Sequence, residues 1–369
     1  MIPYGRQVID RDDIAGVIKV LKSDWLTQGP KILALEQALA KYCGAKYAVV
    51  VNNGTAALHL AYLAAGLSEG EAITTPNTFV ATSNMLLNIG IKPVFCDIRL
   101  DTYNIDESKI ANLVNKKTKA IIPVHFAGHP CDLEAISKLA KKYKLKVIED
   151  ACHALGTEYG KSKIGSCQYS DMAVFSFHPV KSITTGEGGA ILTNNKILYK
   201  KLLLLRSHGI YKDKLGHNIM VDLGYNYRLT DFQASLGLSQ LKHLNSFINK
   251  RRQVVVWYKS ILKNVTQIDL PREIKGTKSA WHLYVILVKN SKLRDKLFLY
   301  LKSKGIGVNF HYPAVYSHPY YKKLGYNNKL TNEDIYHNSC ITLPCHPLLK
   351  KKEVEYIAKH IKIFFNNIK

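Results

Sequence analysis

The stretch FSFHPVKSITTGEGGAI, residues 175–191, leaves the end of one short apolar run (172–176) and leads into another (190–193). Apolar runs of this length, bounded by turn-forming residues, predict buried strands. Between them Lys181 stands alone among small, hydroxyl-bearing and glycine residues, a poor setting for a solvated surface lysine. Outward toward the N-terminus, runs of the same kind recur at 48–51, 72–75, 93–97, 120–124 and 146–150. The intervening stretches 55–65, 78–88, 106–115 and 132–143 carry helical spacing, which makes a βαβ rhythm and predicts a mostly parallel sheet with helices on both faces. Ahead of it, Ile14, Val17, Ile18 and Leu21 form one apolar stripe of a first helix.

Toward the C-terminus the order changes. Residues 231–263 read as one long helix with Phe232, Leu236, Leu238, Leu241, Leu244 and Ile248 at helical spacings, bridging to a second unit. That unit has strand-like pieces at 282–288, 307–312 and 341–343, a helix at 293–303 and an amphipathic helix at 353–365. The expected organisation is an α/β large domain over 1–240, including the N-terminal segment, and a smaller α+β domain over 241–369.

Composition bounds the function. With 369 residues, 47% hydrophobic and 22% charged, the chain is that of an ordinary globular protein with room for two lobes. The N-terminus lacks the apolar core of a signal peptide, and no run reaches the roughly 18 apolar residues of a membrane span, so a cytoplasmic location is expected. Seven scattered cysteines without a CxxC pair suit reduced thiols. Cys340 and Cys345-His346 have no second ligand pair, so no metal is expected. The net charge of +24 raises nucleic acid as a partner. Its carriers, however, are lysines spread over helix faces, as in KLAKKYKLK (138–146) and KKEVEYIAKHIK (351–362), without an arginine stripe or interleaved aromatics. A solvated lysine surface is the better reading, and its field favours a phosphate-bearing substrate.

In open α/β sheets ligands bind beyond the carboxyl ends of the strands. After the run 48–51 comes NNGTAALHL (52–60), where Gly54 permits a tight turn and Thr55 and Ala56 open a helix with free N–H groups, a seat for phosphate. After 146–150 comes EDACHALG (149–156), which puts Asp150 and His153 at the same rim. Singly, such a turn is a helix start and such an aspartate a satisfied core group. Together with Lys181 they supply what pyridoxal phosphate requires: a phosphate cradle, a carboxylate for the ring nitrogen and a lysine for the Schiff base.

The strings FSFHPVKSITTGEGG, LTQGP (26–30), NNGTAALHLA, TPNTFVATSN (75–84), EDACHALG, LRSHGI (205–210), GYNYRLTDFQASLGLSQL (224–241) and LPCHP (343–347) resemble the sugar aminotransferases of the DegT/DnrJ/EryC1 type. These belong to the fold-type I pyridoxal-phosphate enzymes, and the resemblance spans nearly the whole chain. It implies a seven-stranded, mostly parallel sheet and pyridoxal phosphate that alternates with its amine form. Lys181 then carries the cofactor and moves the proton, Asp150 pairs with the ring nitrogen, and Thr55, Ala56 and Ser176 hold the phosphate. Phe79 stacks on the ring and His153, a glutamine in many relatives, lies near the ring hydroxyl. Asn226, with Arg228, reaches the phosphate of a neighbouring subunit, which implies a homodimer. His178, Tyr225 and Tyr227 are read as packing residues.

Within the family, MIPYGRQ with SDWLTQGP, His153, HFAG (125–128), RSHGI and LPCH most resemble the pseudaminic-acid branch. That branch implies transfer from L-glutamate to C4 of UDP-2-acetamido-2,6-dideoxy-β-L-arabino-hex-4-ulose, releasing 2-oxoglutarate. By the same resemblance Tyr4, Asp24, Trp25, Leu26, Thr27, Asn53, Ser176, Asn226, His311 and Tyr312 contact the substrate. HYPAVY at 311–316 departs from the branch's HYKP, so Pro313 stands where a lysine is usual. The alternatives are another 4-keto-6-deoxy sugar nucleotide, on the way to bacillosamine or legionaminic acid, and the family's sugar dehydratase, which has histidine in place of Lys181. A DNA-binding regulator would need a helix-turn-helix or basic stripe that the sequence lacks.

Overall fold

The computed structural model describes residues 1–367; the last two positions of the expected small domain lie outside the described residues. Seven strands form the main sheet: β1 (Tyr47–Val51), β2 (Gly70–Thr74), β3 (Ile91–Phe95), β4 (Thr118–Ile122), β5 (Lys146–Asp150), β6 (Met172–Ser176) and β7 (Gly189–Thr193). Their order is β1-β7-β6-β5-β4-β2-β3. Only β7 runs antiparallel to its neighbours, β1 and β6; the other pairings are parallel. The strands are runs of Val, Ile and Ala because both faces are covered, and each fully buried aliphatic side chain contributes about 1.5–3 kcal/mol.

Helix Gly54–Ala64 follows β1 and lies at the centre of the packing, with nine of its eleven residues buried. A helix enclosed on all sides cannot tilt, so its N-terminus is a fixed point. Helices Ala81–Asn88, Leu133–Tyr143 and Lys196–Arg206 complete the covering layers. Helix Asp231–Leu262 starts against the first core, where Ala234, Leu244 and Ile248 join Leu39 and Phe175. It ends in a second core, where Val254, Tyr258 and Leu262 join Tyr284, Ile341 and Ile357. That second core is built on the antiparallel strands Ile268–Asp269, Tyr284–Val288 and Cys340–Leu343 and on helices Arg294–Ser303 and Lys351–Asn366. Ile2 pairs with Ile306 and packs on the same core, which ties the N-terminal residues to the C-terminal unit.

Several expected elements differ. The first helix, Arg11–Leu21, forms, but its stripe points outward: Ile14, Ile18 and Leu21 are exposed while Asp13 and Val20 are buried. Asp13 goes inside because the Gln240 side chain donates to it at 2.6 Å. The helix expected over 78–88 begins only at Ala81, since Thr78 is held in a turn by Pro76 O. The one over 106–115 is a single turn followed by a 3-10 segment. Residues 307–312 form no ladder beyond one bridge, Asn309 to Thr342, because the Asn309 side chain takes the Phe310 N–H and the chain then turns toward the cleft. Among the described residues no helix is long and apolar enough to cross a membrane.

Candidate active site

A cleft of about 1050 Å³ opens at the carboxyl ends of β5 and β6 and the start of helix Gly54–Ala64. Asn53 caps that helix, accepting the Ala56 N–H at 2.7 Å. Among the described residues the N–H groups of Gly54 and Thr55, two residues that line the cleft, take no acceptor. Two glycines allow the approach. A Cβ on Gly54 would stand 2.9 Å from the Ser176 Cβ, and one on Gly189 would stand 2.6 Å from the Asn53 carbonyl oxygen. The free N–H groups, the helix dipole and the Thr55 and Ser176 hydroxyls make an anion seat.

At the end of β5 successive side chains go to opposite faces. Glu149 points back into the core, where it pairs with His125 at 2.8 Å and accepts from Ser170. Asp150 points into the cleft. It is buried, and its carboxylate accepts from Thr82 Oγ1 at 2.6 Å and from the Cys152 N–H at 3.2 Å. Two neutral donors orient a buried charge without neutralising it, and a protonated ring nitrogen would complete the set. Lys181 is half-buried, with no carboxylate in salt-bridge contact among the described residues. Burial lowers its ammonium below the usual lysine range, Cys152 and Asp150 pulling the other way, so the amine is closer to the free base that a nucleophile requires.

The remaining wall is aromatic. Phe79 is exposed to the cleft with its ring 6.1 Å from that of Tyr312. Tyr312 Oη lies 3.2 Å from His153 Nε2, and His153 Nδ1 accepts the Ala127 N–H at 3.2 Å. His311 bonds Thr342 through Nδ1 at 2.9 Å, and burial with the Lys181 charge takes its pKa down to about 3. His282 lies with its ring 4.4 Å from that of His153 and is held neutral chiefly by burial.

The cleft thus gathers Lys181, Asp150, His153, Thr55, Ala56, Ser176 and Phe79, together with Tyr4, Asn53, His311 and Tyr312. It does not gather Asp24, Trp25, Leu26, Thr27 or Asn226, which are exposed on this chain's outer surface. Thr27 pairs there with Thr230, and Asn226 with Ser207. His178 and Tyr227, read from sequence as packing residues, line the cleft, Tyr227 with its hydroxyl 3.2 Å from His59 Nδ1; Tyr225 stacks behind it at 5.0 Å. His282 and His318 also line it and carry no motif, so only topology brings them there; Glu187, from the Lys181 string, lines it as well. Pro313 faces the cleft where the branch has lysine.

A strand-end lysine, a buried carboxylate with one place left for a cation and an anion-binding helix start define a pyridoxal-phosphate aminotransferase site. The chain belongs to the DegT/DnrJ/EryC1/StrS aminotransferase family, whose model matches residues 7–362. It is similar to the UDP-4-amino-4,6-dideoxy-N-acetyl-beta-L-altrosamine transaminase of Campylobacter jejuni subsp. jejuni serotype O:23/36 (strain 81-176), at 42% identity over 100% of this chain and 99% of that one. Among solved structures it is similar to Helicobacter pylori PseC, an aminotransferase involved in the biosynthesis of pseudoaminic acid, with TM-score 0.95, 37% identity and 99% of each chain covered. The putative sugar aminotransferase Spr1654 from Streptococcus pneumoniae in its PMP form matches with TM-score 0.95, 30% identity and 100% of each chain covered. The protein is a sugar aminotransferase and pyridoxal phosphate is its cofactor.

Proposed function

We propose that the protein moves the amino group of L-glutamate to C4 of UDP-2-acetamido-2,6-dideoxy-β-L-arabino-hex-4-ulose, giving UDP-4-amino-4,6-dideoxy-N-acetyl-β-L-altrosamine. The observation that carries the chemistry is the meeting of half-buried Lys181, buried Asp150 and the open start of helix Gly54–Ala64 in one cleft. The choice of sugar draws on the names of the similar Campylobacter and Helicobacter transaminases.

Bound pyridoxal phosphate supplies the electron sink that stores and releases the amino group. In this reading Lys181 Nζ holds the cofactor and then takes and returns the proton at the reacting carbon, a role suited to an amine whose charged form is disfavoured by burial. Asp150, oriented by Thr82, keeps the ring nitrogen protonated. Thr55 and Ser176, with the free Gly54 N–H, would hold the phosphate beside Ala56, whose own N–H is taken by Asn53; Phe79 would cover one ring face, and His153 would stand near the ring hydroxyl. Tyr4, Asn53, His311 and Tyr312 receive the sugar nucleotide.

Asp24, Trp25, Leu26, Thr27 and Asn226, with Arg228, serve the cleft of a second copy, so the working unit is a homodimer. The exposed apolar side chains of Ile14, Ile18, Leu21, Trp25 and Leu26 support that assembly, since a run of this kind is costly to leave in water. A cytoplasmic location and a division into domains near residue 240 belong to the same reading.

The test is a half-reaction. The enzyme is converted to its amine form with glutamate, freed of donor, and given the L-arabino or the D-xylo 4-keto sugar separately. Return of the starting absorbance with the L-arabino sugar alone, and a 4-amino product by mass, is the expected result. Return with the D-xylo sugar alone would transfer the enzyme to the other sugar series, and silence with both would sink the substrate assignment.

A further inference from the structure

The HFAG loop, residues 125–128, packs behind the cleft without lending it a side chain. Its backbone is unusual. Ala127 has φ of +56°, a left-handed conformation that alanine rarely adopts, and Gly128 has φ of +88°. A Cβ on Gly128 would lie 2.9 Å from the His153 carbonyl oxygen and 3.0 Å from the His282 nitrogen, so the loop is wedged between those two residues. The Gly128 carbonyl accepts from Thr157 Oγ1 at 2.7 Å, Ser279 Oγ at 2.9 Å and the Ala280 N–H at 3.2 Å, and the Ala127 carbonyl accepts from the Leu283 N–H at 3.3 Å. Pinned on both sides, the loop delivers one group to the cleft wall: the Ala127 N–H, 3.2 Å from His153 Nδ1.

We propose that the HFAG loop fixes His153 as the Nε2–H tautomer and thereby turns Tyr312 into a directed hydrogen-bond donor for the carbonyl oxygen of the incoming keto sugar. A backbone N–H can only donate, so Nδ1 must accept, and in a neutral ring the proton is then on Nε2. The ring is neutral because it is buried, and the Lys181 charge acts in the same direction. His153 Nε2 lies 3.2 Å from Tyr312 Oη and donates to it. The Tyr312 hydroxyl proton cannot then point back at His153, and Oη has no other protein partner among the described residues. The ring packs near Phe79 at 6.1 Å and Phe126 at 6.2 Å, and because Tyr312 lines the cleft, a bound oxygen there is the acceptor left for that proton. Tyr312 and His153 both line the cleft with Lys181. The sequence of donors runs Ala127 to His153 to Tyr312 to the bound oxygen. Glutamine at 153 preserves this polarity, its carbonyl accepting and its amide donating, whereas leucine breaks it.

The role toward the sugar rests on the substrate reading above; the tautomer does not, and it is measured with no sugar present. In the full-length cofactor-loaded protein, side-chain ¹⁵N spectra, with His153 assigned by the signals lost in His153→Gln, should show an unprotonated Nδ1 and a protonated Nε2, unchanged in Tyr312→Phe. In single turnovers, Tyr312→Phe should slow the keto-sugar half-reaction by about 10- to 100-fold, the loss of one directed donor, and slow the glutamate half-reaction far less. His153→Gln should keep at least about ten times the sugar half-reaction rate of His153→Leu. A protonated Nδ1, equal damage from glutamine and leucine at 153, or equal slowing of both half-reactions by Tyr312→Phe would overturn the proposal. A wild-type enzyme inert to both keto sugars would overturn the substrate reading and leave the tautomer measurement standing.

Discussion

Glu333 lies in the first turn of helix Thr331–Ser339, fully buried, with neither carboxylate oxygen hydrogen-bonded among the described residues. Asp97, which accepts its backbone N–H at 3.0 Å, and Asp334 are its charged neighbours, and the Lys109 ammonium is spent on Asp97 at 2.8 Å. Burial first, then those two carboxylates, pushes the Glu333 acid well above its ordinary value of 4.5. The folded chain therefore holds a proton that the unfolded chain releases. For an acid raised on folding, stability is full below the ordinary value and falls as pH rises toward the folded one, by about 1.4 kcal/mol per pH unit. The loss accumulates with each pH unit above 4.5 for as long as the group stays protonated. Glu333→Gln keeps the shape and removes the titration. Its buried amide carries an offset of about 1–3 kcal/mol that does not depend on pH. Scanning calorimetry from pH 5 to 8 should thus show the midpoint of the variant gaining on wild type by about 2 °C per pH unit. A gap that stays constant over that range would refute the argument, because it would mean that Glu333 is ionised in the fold.

Lys181→Ala should bind the cofactor without a borohydride-reducible adduct, which mass spectrometry reads directly; a persisting adduct would remove Lys181 from its assigned role. Gly54→Ala brings a Cβ to 2.9 Å from Ser176 and should weaken cofactor binding about tenfold or more by equilibrium dialysis, the effect of about 1–3 kcal/mol of overpacking. Unchanged affinity would mean that the phosphate seat lies elsewhere. Arg206 Nη1 joins Glu36 at 2.6 Å and the Val50 carbonyl at 2.9 Å, so Arg206→Met strands a buried carboxylate and should cost about 3–5 kcal/mol in thermal or urea unfolding. Adding Glu36→Leu should recover much of that loss, and no recovery would show that the pair is not the cause.

The sheet was legible because each strand is a continuous apolar run closed by turn residues, a signal that needs no knowledge of distant partners. Helix Pro30–Cys43 was harder to see because Glu36 interrupts its buried face, and the partner that makes this tolerable, Arg206, lies 170 residues on. The same holds for the first helix, whose orientation depends on Gln240 reaching Asp13. In the site, Lys181, Asp150 and the turn at Gly54 are each a local motif at a strand end. His282 and His318 are not, and they join the cleft only because the chain returns to it; Glu187 and Tyr227 lay within quoted strings, but nothing local marked them as cleft residues. The HFAG string was visible, but its backbone angles, which give it its effect on His153, were not.

Helix Asp231–Leu262 spans about 48 Å at the usual rise per residue and runs through both cores. Kinks arise at proline, at glycine or at breaks in the ladder, and this helix has no proline and a single glycine. That glycine, Gly237, is there for proximity, since a Cβ would stand 2.9 Å from Thr185 and 3.0 Å from Leu35. The element therefore works as a continuous axle without a joint. A clamshell motion of the two cores about it would require bending the rod itself. The two reactants must instead take turns in a berth of nearly constant shape, entering and leaving by its mouth, and compliance belongs to the loops at the rim.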